Sequence, residues 1–194
     1  GISVGKDGVT HQSISDIAIV RSIPNMVLVA PCDWVETKKC IKAAANYIGP
    51  VYIRLGREPV PVIFDEDYSF EMGKAVTLRD GCDVTIIANG LMVHEALKAW
   101  DKLLIEGIRA RIIDLHTIKP IDEETIEEAA RKTGGIVTAE EHNILGGVGG
   151  AVAEVVVEKY PVPMARIGLR DIFGESGEPS ALLKKYGLLD VNII

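Results

Sequence analysis

The stretch that decides the fold is Val27-Leu28-Val29-Ala30, followed by the segment Trp34 to Tyr47 and then by Val51-Tyr52-Ile53-Arg54-Leu55. The outer runs are short, apolar and rich in β-branched residues, which is how buried strands read, and the segment between them has the length and composition of a helix. Strand, helix and strand in this order make a βαβ unit, whose two strands lie parallel. The helix start is well marked. Asp33 has the chemistry of an N-cap, Glu36 stands at the capping-box spacing after it, and Pro31 keeps the preceding strand from running into the helix.

Past Leu55 the periodicity fails. Gly56-Arg57-Glu58-Pro59-Val60-Pro61 and the acidic Asp65-Glu66-Asp67 read as a linker, since proline removes backbone donors and no apolar repeat survives. From Lys74 the alternation resumes, with strands expected at 75–78, 84–88, 110–114, 136–139 and 165–169. A helix over Met92 to Glu106 carries Val93, Ala96, Leu97, Trp100, Leu103 and Leu104 on one face. A second opens at Asp122-Glu123-Glu124, where negative charge suits the helix dipole, and closes near Lys132 before Gly134. Such short connections predict an α/β chain of doubly wound, mostly parallel sheets in two domains, residues 1–67 and 71–194.

Composition excludes several function classes. With 194 residues, 47% hydrophobic and 25% charged, the chain can bury a sizeable core. Its net charge of −7 is dispersed and no basic stripe is present, which argues against nucleic acid and against an anionic membrane as partners. Cys32, Cys40 and Cys82 fit neither a zinc spacing nor a disulfide framework, as expected of a reducing compartment. No apolar run has membrane-spanning length, and residues 1–7 lack the plan of a signal peptide, so a cytoplasmic location is expected.

The residues richest in chemistry are Gly5-Lys6-Asp7-Gly8-Val9-Thr10-His11-Gln12, just before a helical stretch. The glycines allow positive φ or close approach to a ligand, the Asp7 carboxylate can accept bonds from substrate hydroxyls, and the His11 imidazole can exchange protons near neutral pH. Periodicity alone favours the plainer reading, a turn with an ordinary loop histidine. Asp114 with His116, and Glu140-Glu141-His142, are expected just past two strands, where a divalent cation could be imagined; buried or capping roles for the two histidines are the preferred reading. Gly146-Gly147-Val148-Gly149-Gly150 before a helix suggests a nucleotide loop but lacks the full fingerprint, so tight strand-to-helix packing is expected. His94 reads as a surface or capping residue.

The turn resembles the G-[EK]-D-G-x-T-H-Q signature of the pyrimidine-binding domain of transketolases, and continues as that family does through Asp16-Ile17-Ala18 to Arg21-Ser22-Ile23-Pro24-Asn25. Pro50 to Arg57 resembles the strand after which the family places a phosphate-binding arginine. His116-Thr117-Ile118-Lys119-Pro120-Ile121-Asp122 and Ala139-Glu140-Glu141-His142-Asn143 resemble its C-terminal domain. The resemblance implies a partial pyrimidine-binding domain over 1–67, its sheet incomplete, and a Rossmann-like transketolase C-terminal domain over 71–194. It implies transfer of a two-carbon ketol unit between sugar phosphates, in the cytoplasmic pentose phosphate pathway, with thiamine diphosphate and magnesium.

By the same resemblance His11 is the catalytic residue and Asp7 and Arg57 bind substrate, with Arg54 near enough in sequence to rival Arg57. Strand alternation would point the two arginines to opposite faces if the strand reached Gly56. No metal ligand is assigned to this chain. The cofactor-binding residues are expected upstream of Gly1 and in an N-terminal diphosphate-binding half, so the chain is expected to be inactive alone and to work as a dimer or other homo-oligomer. The alternatives are a non-catalytic assembly or regulatory module and part of a 1-deoxyxylulose-5-phosphate synthase. Thr10-His11-Gln12 and Arg54-Leu55-Gly56-Arg57 differ from the synthase pattern, which favours a second histidine or glycine and Tyr-Pro-Arg-Gly.

Overall fold

In the computed structural model, which describes residues Gly1–Ile194, the chain builds two sheets. It begins with a 3-10 segment, Ile2–Asp7, then α1 (Asp16–Arg21), β1 (Val27–Val29), α2 (Trp34–Asn46) and β2 (Val51–Ile53). Parallel pairing sets Val27 opposite Val51 and Val29 opposite Ile53, so the βαβ unit forms as the sequence dictates. At the start of α2, Glu36 N donates to Asp33 Oδ1 at 2.8 Å, and the Glu36 carboxylate reaches past Asp33 to accept from Cys32 N at 2.8 Å. Two backbone donors at the helix entrance are satisfied by side chains.

The second sheet holds β3 (Val76–Arg79), β4 (Val84–Ala88), β5 (Ala110–Asp114), β7 (Ile136–Asn143) and β8 (Met164–Leu169) in the order β3-β5-β4-β7-β8. All its pairings are parallel except that of the edge strand β3 with β5. Helices cover both faces, as a doubly wound sheet requires. Ile86, Ala88 and Ile112 turn toward Met92, Ala96, Ala99 and Leu103 of α3 (Met92–Ile105). Their chain neighbours Ile87 and Ile113 turn the other way, toward Ile126 and Ala130 of α4 (Glu123–Thr133) and Val152 of α5 (Val148–Lys159). Successive strand residues face opposite sides, so a sheet buried on both faces reads as a continuous apolar run, each fully buried side chain contributing roughly 1.5–3 kcal/mol. Asp122 caps α4 by accepting from Thr125 N, and Gly134, at φ 67, ends it in the left-handed conformation. Two short helices, α6 (Pro179–Lys185) and α7 (Asp190–Ile193), close the chain.

One strand crosses between the parts. β6 (Thr117–Lys119) pairs antiparallel with β1, giving the first sheet the order β2-β1-β6. Three residues hemmed by His116 and Pro120 carry no strand signature of their own, because β1 supplies the partner groups from far away in sequence. The connection after β2 is likewise fixed in place: Asp33 Oδ2 accepts from Ile63 N at 2.7 Å and Phe64 N at 2.9 Å, strapping the linker across the start of α2. The outer edge of β2 has no neighbour. No helix is long and apolar enough to cross a membrane.

Candidate functional site

Gly5 and Gly8 take φ of 78° and 73°, where a side chain would be strained, and the N–H groups of His11 and Gln12 both donate to Gly8 O, at 3.0 and 3.1 Å. This tight backbone path leaves Asp7 and His11 on the surface. His11 Nδ1 lies 3.0 Å from its neighbour's hydroxyl, Thr10 Oγ1, and its other ring nitrogen has no protein partner. Asp7 Oδ2 forms an ion pair with Arg57 Nη1, reached from the far side of the βαβ unit. The hydrogen bond from Arg57 holds the Asp7 carboxyl below the usual carboxylate range, with a further contribution from His11 nearby. The fold thus gathers Asp7, His11 and Arg57 on one exposed surface. Because the side chains of Arg57 and Asp7 are 52% and 38% exposed, their pairing contributes little to stability and is open to exchange with a ligand.

Arg54 belongs to a different structure. The strand stops at Ile53, so the turn rather than strand alternation separates the two arginines. Arg54 Nε donates to Asp16 Oδ2 at 3.0 Å, and Nη2 donates to Ser13 O at 3.2 Å and Glu141 O at 3.0 Å. Tyr52 OH donates to the same Asp16 oxygen at 3.0 Å. Burial pushes the Asp16 carboxyl up, but Arg54, the Tyr52 hydroxyl and His142 together outweigh it and leave the carboxyl below its ordinary value. Arg54 is therefore a largely buried joint between the two parts of the chain, its Nε and Nη2 committed to protein acceptors.

The second part assembles no metal site from Asp114, His116 and Glu140 to His142. Glu140, Glu141 and His142 lie within β7, which runs to Asn143, instead of in a loop after it. Glu140 accepts from Val148 N at 2.7 Å and Gly149 N at 2.9 Å, so the glycine-rich turn receives an internal carboxylate where a nucleotide loop would receive phosphate. A Cβ on Gly147 would collide with that carboxylate, which is the packing reason for the glycines. Burial pushes Glu140 up to about 7. Both histidines are buried: His116 packs at a tilt against Phe70 with ring centroids 4.5 Å apart, burial lowering it to about 4, and His142 Nδ1 lies 2.6 Å from Asn143 O. His94, expected as a surface or capping residue, is buried too, its Nε2 2.8 Å from Cys32 O.

The crevice beyond the carboxyl ends of β4 and β7, where open α/β sheets take ligands, is filled by the chain itself. Gly90 N donates to Ala30 O, Ser3 N to Glu141 Oε1 at 2.5 Å and Asn143 N to Ile14 O at 2.9 Å.

Asp114 meets Cys32 and Glu36, their candidate ligand atoms all within 4.8 Å of one another and all three residues buried. Glu36 already accepts from Cys32 N and from Tyr68 OH at 2.9 Å, whereas neither Asp114 oxygen has a hydrogen-bond partner and no basic group pairs with either acid. Burial, then the Glu36 charge, raise Asp114 well above the usual range, so the pair is most stable holding a proton. A raised carboxyl contributes stability that is full below the ordinary pKa of about 4 and is lost as pH climbs through the folded value. Asp114→Asn does not titrate, so its stability relative to the parent protein rises from pH 5 to pH 8 in urea unfolding. A difference independent of pH would show that Asp114 is ionised throughout.

The chain matches the transketolase pyrimidine binding domain over residues 1–62 and the transketolase C-terminal domain over residues 73–193. It is similar to the 6-deoxy-6-sulfo-D-fructose transketolase subunit of Clostridium sp. strain MSTE9, 44% identical over 194 residues, which are 100% of this chain and 60% of that protein. It is 42% identical over 189 residues to the 1-deoxy-D-xylulose-5-phosphate synthase of Desulforudis audaxviator, covering 95% of this chain and 30% of the synthase. A solved split gene transketolase, described as an inactive beta4 tetramer, superposes with a TM-score of 0.93 at 50% identity, over 96% of this chain and 61% of that one. The chain thus spans about 60% of the length of the transketolase subunits it matches. Only the connection at 63–72 and the final Ile194 lie outside the two domain matches, and the chain belongs to the transketolase family.

Proposed function

We propose that this chain supplies the substrate-facing loop of a transketolase, moving a two-carbon ketol unit between sugar phosphates, with a separate diphosphate-binding half as its partner. The observation that carries the reading is the convergence of Asp7 and His11 from one turn, and Arg57 from the connection after β2, on one exposed surface. Arg57 can grip a phosphate with two parallel bonds, Asp7 can accept from sugar hydroxyls, and His11 can take and return a proton at a substrate oxygen. These groups fit a sugar phosphate rather than a diphosphate cofactor, so no residue here is assigned to the cofactor. Thiamine diphosphate, held with magnesium mainly by the other half, would supply the ring that stabilises the substrate carbanion. Exposed Trp34, Ile41, Ile48 and Leu55, together with the open edge of β2, support association with that half and with further copies.

Asp7 engages only Nη1 of Arg57, which leaves Nε and Nη2 of the exposed guanidinium to meet a phosphate. Arg57→Ala in the assembled enzyme is expected to raise KM for phosphorylated donors about tenfold or more, with a smaller effect on an unphosphorylated ketose. Equal effects on both donors would remove Arg57 from phosphate binding.

The 42% identity to a deoxyxylulose phosphate synthase supports a second reading. Product analysis separates the two. With pyruvate and a triose phosphate, synthase chemistry releases carbon dioxide, whereas a transketolase gives none and exchanges ketol units between two sugar phosphates. Carbon dioxide release by the assembled protein would overturn the transketolase reading.

A further inference from the structure

We infer that Gln12 is a positioning residue, and that with the segment Gly174 to Glu178 of the second part it holds the Asp7–His11 turn in its working shape; the inference rests on the catalytic reading of His11. Gln12 is 5% exposed although it follows an exposed histidine. Its amide Nε2 faces three carbonyls, donating to Glu175 O at 2.8 Å and lying 3.3 Å from Ile2 O and 3.5 Å from Gly5 O. One buried amide therefore ties both ends of the turn to a segment more than 160 residues away.

That segment adds contacts on either side of Asp7. Ser176 Oγ donates to Lys6 O at 2.5 Å, and Lys6 Nζ pairs with Glu178 Oε1 at 2.7 Å. A Cβ on Gly8 would stand 3.5 Å from Ser176 Cβ, in ordinary contact. A Cβ on Gly174 would collide with Gln12 Oε1 and Ile2 Cδ1, so the segment lies as close as glycine allows. Lys6, Gly8 and Gln12 are held from beneath while the side chains of Asp7 and His11 stay on the exposed side of the turn. The second domain touches no reacting group; it serves as the platform that sets where those groups point.

The test uses the full-length chain assembled with its diphosphate-binding half, thiamine diphosphate and magnesium. Gln12→Ala and Gly174→Ala should each lower kcat by about tenfold or more with a smaller change in KM, since misplacing a catalytic group by an ångström costs rate before binding. Amide hydrogen exchange should quicken in peptides covering residues 3–12 and stay unchanged in the second sheet. Ser176→Ala, which removes one exposed hydroxyl and is not expected to disturb folding, should quicken exchange in the same peptides to a lesser degree, keeping the inference testable if either larger change prevents assembly.

Two results overturn the inference: kcat within about twofold of the parent in Gln12→Ala, below the loss expected of a misplaced group, or exchange that rises equally across the chain, the mark of a general packing role. His11→Ala, run in parallel, tells the two readings apart. Loss with His11→Ala but not with Gln12→Ala sinks the positioning role alone, and loss with neither sinks the catalytic reading as well.

Discussion

On the proposed function, replacing His11 by alanine is expected to lower ketol transfer by the assembled enzyme about a hundredfold or more, because a general acid–base group usually contributes 10²–10⁴-fold. The substitution should leave folding and assembly intact. His11 is exposed and its one side-chain hydrogen bond is to the hydroxyl of Thr10 beside it, while the turn is held by Gly5, Gly8, the Gln12 amide and backbone bonds that the His11 side chain does not enter. The loss should therefore appear in kcat, with an unchanged elution volume for the complex. Activity within about threefold of the parent would fall well short of an acid–base contribution. It would favour the other class of function, an assembly or regulatory module in which this turn does no chemistry.

The largest stability change is expected at Arg54. Its guanidinium joins Asp16 and Ser13 O in the first part to Glu141 O in the second, and the side chains of Arg54 and Asp16 are only 11% and 9% exposed. Arg54→Ala leaves the Asp16 carboxylate buried with the Tyr52 hydroxyl as its remaining close donor, and strips two carbonyls of theirs. Removing one partner of a buried ion pair costs about 3–5 kcal/mol, which urea unfolding would read directly. The pH dependence supplies an independent check. Asp16 sits below its ordinary value, so its contribution is present above about pH 4 and lost as pH falls through the folded value. That acid-side loss should shrink in Arg54→Ala. A change under about 1 kcal/mol would mean that Arg54 behaves like an exposed charge. Arg57→Ala, at the exposed pair, is the natural control.

Much of this fold is legible from local signals. The two apolar runs about Trp34 to Tyr47 form the parallel unit, Asp33 and Glu36 start its helix, and Asp122 and Gly134 bound α4. What local signals miss is supplied by distant partners. β6 is a strand only because β1 lies beside it. Glu140, Glu141 and His142 look like loop residues because they are polar, yet they can end a strand because α5, Ser3 and Asn143 satisfy them. His94, in the first turn of its helix, reads as a surface or capping residue, and the carbonyl that meets its ring is 62 residues away.

The same division runs through the site. Asp7 and His11 are marked by one short motif, and Arg57 by a second. That Arg57 meets Asp7, that Arg54 is buried against Asp16, and that Gln12 rests on Glu175 all require the folded chain, since those pairs are 50, 38 and 163 residues apart. The acid pair of Glu36 and Asp114 has no signature in sequence, since one belongs to a capping box and the other ends an apolar strand.

If this chain carries the substrate-facing half of a ketol-transfer site, titration with the other half shows it most directly. The diphosphate-binding half is added stepwise to a fixed amount of this protein, as its full reading frame, with thiamine diphosphate, magnesium and two sugar phosphates, and transfer is followed by a coupled assay. The predicted result is no activity from either component alone and a rate that rises and saturates near equal amounts of the two. Full activity of the diphosphate-binding half by itself, or a demonstrated complex that transfers no ketol unit, would contradict it.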